Sequence, residues 1–368
     1  MIHYDFVIIG AGIVGCSIAF ELSKHNKNIF LIDKNEDVAK GASGAAGAFL
    51  SPLLGKPNGF KDLVNRSLIY STIFYKENFS SYFNNCGTTR IPQNEEDEQK
   101  FQGYIPFMDF DYSKDEKGYY FSIGSVVDSY NMCKCMIEKS KHQVKTKFNY
   151  EVKEVVYQDE VWIINDDIIA KNVIFSTGSD ISLFDQFYLK LRSVWGRRID
   201  IETSTRVPHN FHKACSISQS KQEKNSKYSV SIGATHHRFI EGVINIDANT
   251  DELLKKANDI IPLEDVEVVK HHVGARACSV DYFPIVGGII DADKTLEEFP
   301  YMVNGTNVDT KRFTRFKNLY MINGVGGRGF VLAPYLAQKL VASIIDKKVL
   351  DPEITTDRLF KREVKRIQ

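Results

Sequence analysis

Long apolar runs and an excess of either charge are missing from the 368-residue sequence, and cysteine is scarce. The longest apolar region, 318–345, is interrupted by Gly326-Gly327-Arg328 and Gln338-Lys339, so we expect no membrane-spanning segment. The six scattered cysteines include Cys133 and Cys135, whose spacing fits neither a redox pair nor a zinc site. Reduced thiols are therefore favoured.

Charge and composition narrow the class of protein further. Lys+Arg and Asp+Glu both number 47, so no overall field attracts nucleic acid, and a polyanionic partner would need a local basic patch. The hydrophobic content of 43% predicts an ordinary globular core, and the length allows two domains. The chain enters a strand at once without a signal-peptide pattern, so we expect a cytoplasmic protein. The pair His236-His237 lacks metal-ligand spacing and nearby acids, so no metal is expected.

The N-terminal segment carries the strongest local signal. A short β-branched run, Phe6–Ile9, precedes a G-x-G-x-x-G sequence over 10–15, a helical apolar pattern and a second strand that ends at Asp33. The helix N-terminus attracts a diphosphate, and an acid at that strand end accepts hydrogen bonds from a ribose. The residues predicted to bind a dinucleotide in this unit are Gly10, Gly12, Ile13, Val14, Gly15, Asp33 and Lys34.

Three later segments of small residues are candidates for the same ligand. The run 41–48 is either a close approach to a flat ligand or a flexible loop, and its position after Asp33 favours the ligand. The strand 172–175 ends in Ser176-Thr177-Gly178, and a glycine loop at 324–329 lies between a strand and a helix. The cofactor-binding residues predicted here are Ala42, Ser43, Gly44, Thr177, Gly178, Gly326, Gly327, Arg328 and Gly329.

These elements predict an α/β fold: a Rossmann-like FAD-binding domain, with a parallel sheet and a small β-meander, and an inserted α+β substrate domain on a mostly antiparallel sheet. The predicted FAD-binding domain comprises 1–60, 119–190 and 272–368, and the substrate domain comprises 61–118 and 191–271. Within the latter, we expect a strand over Val243–Ile246 and a helix over Asp251–Ile260 that Thr250 caps.

Taken together, the motifs resemble the D-amino-acid-oxidase-type FAD-dependent oxidoreductases, which include glycine, sarcosine and D-amino acid oxidases. Within this family, the chain particularly resembles the FAD-dependent oxidoreductase domain of the bifunctional tRNA 5-methylaminomethyl-2-thiouridine biosynthesis proteins. The methyltransferase domain of those proteins has no counterpart in this sequence. The stretches that carry the resemblance are Gly41–Gly44 with Pro52–Leu54, Ile232–Arg238, Gly274–Gly287, and Gly326–Gly329 with Ala333-Pro334.

The resemblance implies FAD as the cofactor and oxidation of a carbon beside an amine, followed by hydrolysis of the imine. In the tRNA enzyme, a carboxymethylaminomethyl group on the wobble uridine becomes an aminomethyl group, and glyoxylate is released. Arg276 would bind the substrate carboxylate, or else form a structural ion pair. Arg328 would stabilise the reduced flavin, or else face solvent. His236 and Arg238 would bind substrate at the mouth of the active site.

A tRNA substrate would require basic surface, and three groups of residues are candidates that equally fit a solvated face. They are Lys190, Arg192, Arg197 and Arg198; Lys311, Arg312, Arg315 and Lys317; and Arg358, Lys361, Arg362, Lys365 and Arg366. The alternatives are a small-molecule oxidase for glycine, sarcosine or a D-amino acid, and a flavin-binding subunit without turnover. A separate tRNA methyltransferase is a candidate partner.

Overall fold

The structure is a computed structural model that describes residues 2–184, 186–223 and 227–367. Its helices are α1 (Ile13–Ser23), α2 (Ala42–Ala45), α3 (Gly59–Asn78), α4 (Glu95–Tyr104), α5 (Ser129–Ser140), α6 (Glu241–Ile244), α7 (Ile246–Asn258), α8 (Ala292–Glu298), α9 (Gly329–Ile345) and α10 (Thr356–Val364).

The strands form two large sheets and one small sheet. The first sheet contains β1 (Ile2–Ile9), β2 (Ile29–Ile32), β9 (Val144–Lys147), β10 (Val155–Gln158), β11 (Val161–Ile164), β12 (Ile168–Phe175), β19 (Ile285–Ile290) and β20 (Arg315–Asn323). The second sheet contains β5 (Thr88–Arg90), β6 (Ser113–Lys114), β7 (Tyr119–Phe121), β13 (Leu191–Thr203), β14 (Asn210–His212), β15 (Ser216–Ile217), β16 (Lys221–Gln222), β17 (Tyr228–Gly233) and β18 (Glu267–Ser279). The small sheet contains β3 (Phe49–Leu50), β4 (Phe83–Asn84) and β8 (Ser125–Val127).

The first sheet has a parallel centre in the order β9-β2-β1-β12-β20. The antiparallel pairs β10-β11 and β11-β12 form the predicted meander, and β19 lies antiparallel to β20. Because β2 and β12 lie on opposite sides of β1, the chain reverses direction across the sheet there. Ligands of open α/β sheets bind at such a reversal, beyond the carboxyl ends of the strands.

Side-chain alternation along β1 explains why the parallel centre is stable. Phe6 and Ile8 are buried against the helices α1, α3, α5 and α9, whereas Val7 and Ile9 are buried on the other face, with the meander and α10. Successive residues of a strand point to opposite faces, so both faces of β1 are covered.

The second sheet is mostly antiparallel, as predicted. Its long central strand β13 pairs with β17 on one side and β18 on the other. The order continues from β17 through β15, β14 and β5 to β7, and β14 and β5 are parallel. The predicted fold class is therefore confirmed, because the chain joins a parallel dinucleotide-type sheet to a second, antiparallel sheet.

The predicted domain division stays a prediction, and helix α3 shows how closely the two parts pack. The division assigns 61–118 to the substrate domain, yet α3 packs on α9, a helix that covers one face of the first sheet. The Ser71 hydroxyl donates to the carbonyl of Val331 over 2.7 Å, and the Tyr75 hydroxyl donates to that of Phe330 over 2.9 Å. The N-cap of the same helix is Asn58, whose side chain accepts from the Lys61 N–H over 3.0 Å.

Two local predictions are wrong. Residues 243–246 are not a strand: Val243 lies in α6 and Ile246 begins α7. An apolar run this short has no readable period, so strand and helix cannot be separated by pattern. The cap of α7 is Asn245, which accepts from the Ala248 N–H over 3.0 Å, whereas the Thr250 hydroxyl donates within the helix to the Ile246 carbonyl.

Within the described ranges, no helix has both the length and the apolar character to cross a bilayer. Groups of three or more His, Cys, Asp or Glu side chains arranged to hold a metal ion are also absent from them.

Candidate functional site

Two glycines fix the turn between β1 and α1. Gly10 has a φ of +106°, and a Cβ there would lie 2.4 Å from the carbonyl oxygen of Ser176, at the end of β12. A Cβ on Gly15 would lie 1.8 Å from the carbonyl oxygen of Gly10. Only glycine permits this left-handed turn and this approach of the helix, which brings the α1 N-terminus to the carboxyl edge of the sheet.

A second helix N-terminus meets the first. A Cβ on Gly329, the first residue of α9, would lie 3.2 Å from Cγ2 of Ile13 in α1. The Ser43 hydroxyl of α2 accepts a hydrogen bond from the Ile13 N–H over 2.9 Å. The first turn of α1, including Val14, also offers N–H groups that no carbonyl of the helix can accept. These three segments, distant in sequence, therefore meet at one point, and free N–H groups of helix N-termini such as these suit an anion.

Asp33 lies at the end of β2 with both carboxylate oxygens held by the chain. Oδ2 accepts from the Ala11 N–H over 2.6 Å, and Oδ1 accepts from the Asn35 N–H over 2.8 Å. The next residue, Lys34, forms a 3.0 Å ion pair with Asp180, which follows Thr177 and Gly178. Asp33 is thus oriented beside the glycine turn, while Lys34 ties β2 to the loop after β12. The glycine turn and the helix N-terminus, whose N-cap residue Gly12 has no side chain, fit a dinucleotide such as FAD.

Arg276 reaches across the second sheet. It lies on β18 opposite Val194 of β13, and its Nη1 and Nη2 atoms both donate to the Thr235 carbonyl over 3.4 Å. A Cβ on Gly327 would lie 3.5 Å from its Cδ, so the side chain packs on the C-terminal glycine loop. Among the described residues, no carboxylate forms an ion pair with Arg276, so the structural ion pair considered above is absent there. Burial lowers the pKa of this guanidinium.

More basic side chains converge on the same region. Burial lowers the pKa of Arg328 to about 10. Burial, with the charge of Arg328 added, also lowers the pKa of Arg90 to about 10. Burial and then the charges of Arg90, Arg328 and His236 lower the pKa of His212 to about 3. Among the described residues, none of these basic side chains forms an ion pair with a carboxylate, and such a region is suited to anionic ligands.

His236 and Arg238 are exposed and follow Thr235, the partner of Arg276. Partial desolvation of its ring, together with the charge of Arg276, lowers the pKa of His236. Phe239 comes next in the chain and is 72% exposed. The chain therefore places His236 beside Arg276, and Arg238 and Phe239 on the adjoining surface.

The basic groups considered for RNA are less available than the sequence predicts. Arg197 and Arg198 are buried, with relative exposures of 6% and 8%, so they are not part of a surface patch. Arg197 donates to the Val243 carbonyl over 2.6 Å, and Arg198 donates to the Ala46 carbonyl over 2.6 Å. In the C-terminal group, Arg358 pairs with Asp281 through contacts of 2.9 and 3.0 Å.

Sequence reasoning missed Arg90, His212 and Gly196. Arg90 and His212 lie opposite each other where β5 pairs with β14, more than a hundred positions apart in the chain. Gly196 lies on β13 directly beneath the Arg276 guanidinium: a Cβ there would be 2.6 Å from Nη1. No motif or period marked these positions.

Glycine turns and helix N-termini at the chain reversal of a parallel sheet, together with a basic region on a second sheet, are typical of a dinucleotide-dependent oxidoreductase. The chain belongs to the family described as FAD dependent oxidoreductase, which matches residues 5–343. The predicted cofactor, FAD, and the predicted class, an FAD-dependent oxidoreductase of the D-amino-acid-oxidase type, are thereby confirmed.

Curated relatives carry the name tRNA 5-methylaminomethyl-2-thiouridine biosynthesis bifunctional protein MnmC. The protein of Legionella pneumophila (strain Lens) is 24% identical over 376 residues, which cover 93% of this chain and 54% of the relative. A Campylobacter jejuni protein of serotype O:6 is 26% identical over 346 residues, which cover 92% of this chain and 54% of the relative. The chain thus spans about half the length of the curated relatives it matches.

Solved structures show the same fold at low identity. Glycine oxidase from Geobacillus kaustophilus superposes with a TM-score of 0.74 at 17% identity, covering 95% of this chain and 96% of that one. Iminodiacetate oxidase from Chelativorans sp. BNC1 superposes with a TM-score of 0.72 at 16% identity, covering 95% and 99%. At these identities the likeness establishes the fold.

Proposed function

We propose that this FAD-dependent oxidoreductase oxidises the carboxymethylaminomethyl group on the wobble uridine of tRNA to an aminomethyl group, with release of glyoxylate. The tRNA part rests on the curated relatives, whose name refers to biosynthesis of a modified tRNA nucleoside. The relatives align with 92–93% of this chain, so the likeness extends over both sheets.

Arg276 is the single observation that carries the substrate class. Its guanidinium is held over the Thr235 carbonyl with no carboxylate paired to it among the described residues. Arginine presents a planar fork that matches a carboxylate with two parallel hydrogen bonds. The Arg276 side chain packs on Gly327, so we propose that a carboxylate bound to Arg276 lies close to the glycine loop, with the adjacent carbon and amine. This arrangement fits an amine that carries a carboxymethyl group.

The reaction balances with these groups. The carbon between the amine and the carboxylate loses a hydride and the nitrogen loses a proton, which leaves a C=N bond. Water adds to this imine, the C–N bond breaks, and glyoxylate and the aminomethyl group separate. FAD, when bound, accepts the hydride, and dioxygen is the final oxidant, reduced to hydrogen peroxide. Arg276 binds the carboxylate, and Arg328 supplies positive charge from the glycine loop.

The residues that would hold FAD are those of the turn and loops described above. The turn of Gly10, Gly12 and Gly15 and the α1 N-terminus, including Ile13 and Val14, would receive the diphosphate, and Asp33 would receive the ribose. Close approach to the cofactor is proposed for the remaining segments, which are Ala42–Gly44, Thr177-Gly178 and Gly326–Gly329. Lys34, already paired with Asp180, would act on the cofactor only through its charge.

The surface beside Arg276 supports an RNA substrate. His236, Arg238 and Phe239 are exposed in succession after Thr235. Bases of single-stranded RNA loops stack on aromatic rings and on arginine, and phosphates bind cations. His236 and Arg238 are therefore proposed as contacts of the anticodon loop.

Anaerobic flavin absorbance tests the proposal. The holoenzyme is mixed with tRNA bearing the carboxymethylaminomethyl group, with free glycine and with sarcosine, and glyoxylate is measured. We expect bleaching and glyoxylate with the tRNA, and a loss of at least about 100-fold in kcat/KM in the Arg276→Gln variant, since a charge-assisted pair is removed. Arg66→Gln is the matched control, because the Arg66 side chain on α3 is 53% exposed and pairs with Asp351.

A small-molecule amine oxidase is the second candidate, and the burial of Arg197 and Arg198 favours it. Loss of these residues from the surface weakens the electrostatic argument for a polyanion. Bleaching by glycine or sarcosine, with none by the modified tRNA, would overturn the tRNA proposal. A flavin that no substrate bleaches would instead support a binding subunit. Cytoplasmic location and a separate tRNA methyltransferase partner belong to the tRNA proposal.

A further inference from the structure

Arg90 is a partly buried cation that the proposed reaction does not use. It ends β5 in the second sheet, and its Nη1 donates to the Pro52 carbonyl over 2.9 Å. Its Nε atom is buried without a hydrogen-bond partner. Within the described ranges, the other guanidinium nitrogen, Nη2, also has no protein acceptor. Among the described residues, Arg90 thus keeps two nitrogens, Nε and Nη2, whose N–H groups no protein atom accepts.

The charged groups around Arg90 do not neutralise it. The sheet register places His212 of β14 on one side of it and Tyr119 of β7 on the other. The charge of Arg328 acts on Arg90 from the glycine loop, and among the acids of the described residues only Asp97 acts on it. Asp97 forms no ion pair with Arg90 in the described part of the chain, and its Oδ2 accepts from the Gln93 N–H over 2.9 Å.

The number of cations exceeds what one carboxylate requires. A substrate carboxylate on Arg276, and a reduced flavin beside Arg328, leave Arg90 without a counter-charge. Keeping an unpaired guanidinium beside a second one in a desolvated region costs free energy, which a bound anion offsets. Arg276 packs on Gly327, and the charge of the next residue, Arg328, acts on Arg90, so both guanidinium groups lie near the same glycine loop.

We infer that Arg90 forms a second anion subsite of the substrate pocket, which takes a second acidic group of the substrate, a carboxylate or a phosphate. The inference rests on the proposed function, in which Arg276 takes the carboxylate next to the reacting carbon. A guanidinium binds either group through two parallel hydrogen bonds, so the subsite selects substrates with two acidic groups. For the tRNA substrate this group is a backbone phosphate, and for a small diacid it is the second carboxylate.

Two ligands without an oxidisable amine test the subsite. (Methylthio)acetate carries one carboxylate and thiodiacetate carries two, and each is titrated into the holoenzyme with flavin absorbance as the readout. If the second group is a carboxylate, thiodiacetate binds about 10- to 100-fold more tightly, the range expected for one charge-assisted pair. Arg90→Gln then abolishes this preference and leaves the affinity for (methylthio)acetate unchanged.

A second comparison tests whether the second acidic group is a phosphate. The KM for carboxymethylaminomethyluridine is compared with the KM for the same residue within an anticodon stem–loop RNA. If the group is a phosphate, Arg90→Gln raises the KM for the stem–loop by about 10-fold or more and leaves that for the nucleoside unchanged. Arg66→Gln, an exposed arginine, controls for loss of positive charge.

The inference is overturned if Arg90→Gln changes neither the preference for thiodiacetate nor the KM for the stem–loop. It is also overturned if the variant binds (methylthio)acetate and the nucleoside more weakly by the same factor as the larger ligands. The second result would mean that Arg90 only supports the fold through Pro52. FAD content and Tm are measured for each variant. If the Arg90→Gln variant does not retain FAD, the Arg90→Lys variant is tested in its place, because lysine keeps the positive charge but lacks the two parallel N–H donors of arginine. Arg276→Gln is expected to weaken the binding of all these ligands. If it does not, the proposed function fails, and this outcome is distinct from a failure of the Arg90 subsite.

Discussion

Arg276 crosses the face of Gly196 so closely that a Cβ on Gly196 would lie 2.6 Å from Nη1. The same Cβ would lie 2.5 Å from the Thr235 carbonyl oxygen that Arg276 contacts. The glycine on β13 therefore provides the space through which the β18 side chain of Arg276 reaches Thr235, two residues beyond the end of β17. The position of the candidate carboxylate site depends on the absence of one side chain.

We predict that Gly196→Ala displaces Arg276 and weakens binding of (methylthio)acetate to the holoenzyme by about 10-fold or more, because the charge-assisted contact loses its geometry. Overpacking should also lower the free energy of unfolding by about 1–3 kcal/mol. Flavin-monitored titration and urea unfolding measure the two effects.

Gly103→Ala is the control for this prediction. Nothing lies within 4 Å of a Cβ at Gly103, which is inside helix α4. Alanine there should leave ligand affinity unchanged and raise the free energy of unfolding by about 0.5–1 kcal/mol. Equal ligand affinity in Gly196→Ala and the wild type would contradict the role of Gly196.

The dinucleotide turn was predictable because its determinants are local. Strand, glycines, helix and acid fall within 4–33, and each constrains the backbone a few residues away. The basic region was not predictable, because it arises from strand pairing. His212 is brought beside Arg90 by the parallel pair β14-β5, and Tyr119 by the antiparallel pair β7-β5. No periodicity encodes such long-range register.

Burial of Arg197 and Arg198 shows a second limit of sequence reading. Two adjacent arginines are typical of a surface, but in a strand they point to opposite faces. Each meets a backbone carbonyl from a distant segment: Val243 for Arg197 and Ala46 for Arg198. The ends of helix α6 and of the 42–46 segment supply acceptors that the sequence alone does not locate.

Ser43 links the small-residue segment to the N-terminus of α1. Its hydroxyl accepts from the Ile13 N–H over 2.9 Å, as a capping side chain would. We predict that Ser43→Ala lowers the free energy of unfolding of the apoprotein by about 0.5–2 kcal/mol, since an N–H of the first turn loses its acceptor. FAD affinity, measured by flavin fluorescence, should also fall.

Ser80→Ala is the matched control for the Ser43 variant, because Ser80 is exposed. The free energies of unfolding of the two apoproteins, measured in urea, should differ by most of the effect predicted for Ser43→Ala. An unfolding free energy in Ser43→Ala equal to that of Ser80→Ala would show that water replaces the hydroxyl at no cost.

His212 should make stability depend on pH. Burial first, and then the charges of Arg90, Arg328 and His236, lower the pKa of His212 from 6.5 to about 3 in the folded protein. Between these two values the unfolded chain binds a proton at this position that the folded chain does not. Stability therefore falls as pH decreases from 6.5 towards 3, by about 1.4 kcal/mol per pH unit for this one proton.

We predict that His212→Asn is less sensitive to acid than the wild type. Between pH 7.5 and 4.5, its free energy of unfolding should fall by about 2–3 kcal/mol less than that of the wild type, because the unfolded variant gains no proton at this position. Urea unfolding across this range measures the difference. His142→Asn, at an exposed position, controls for removal of a histidine as such. Parallel pH dependence in His212→Asn and wild type would mean that the folded protein accommodates a charged His212 beside Arg90.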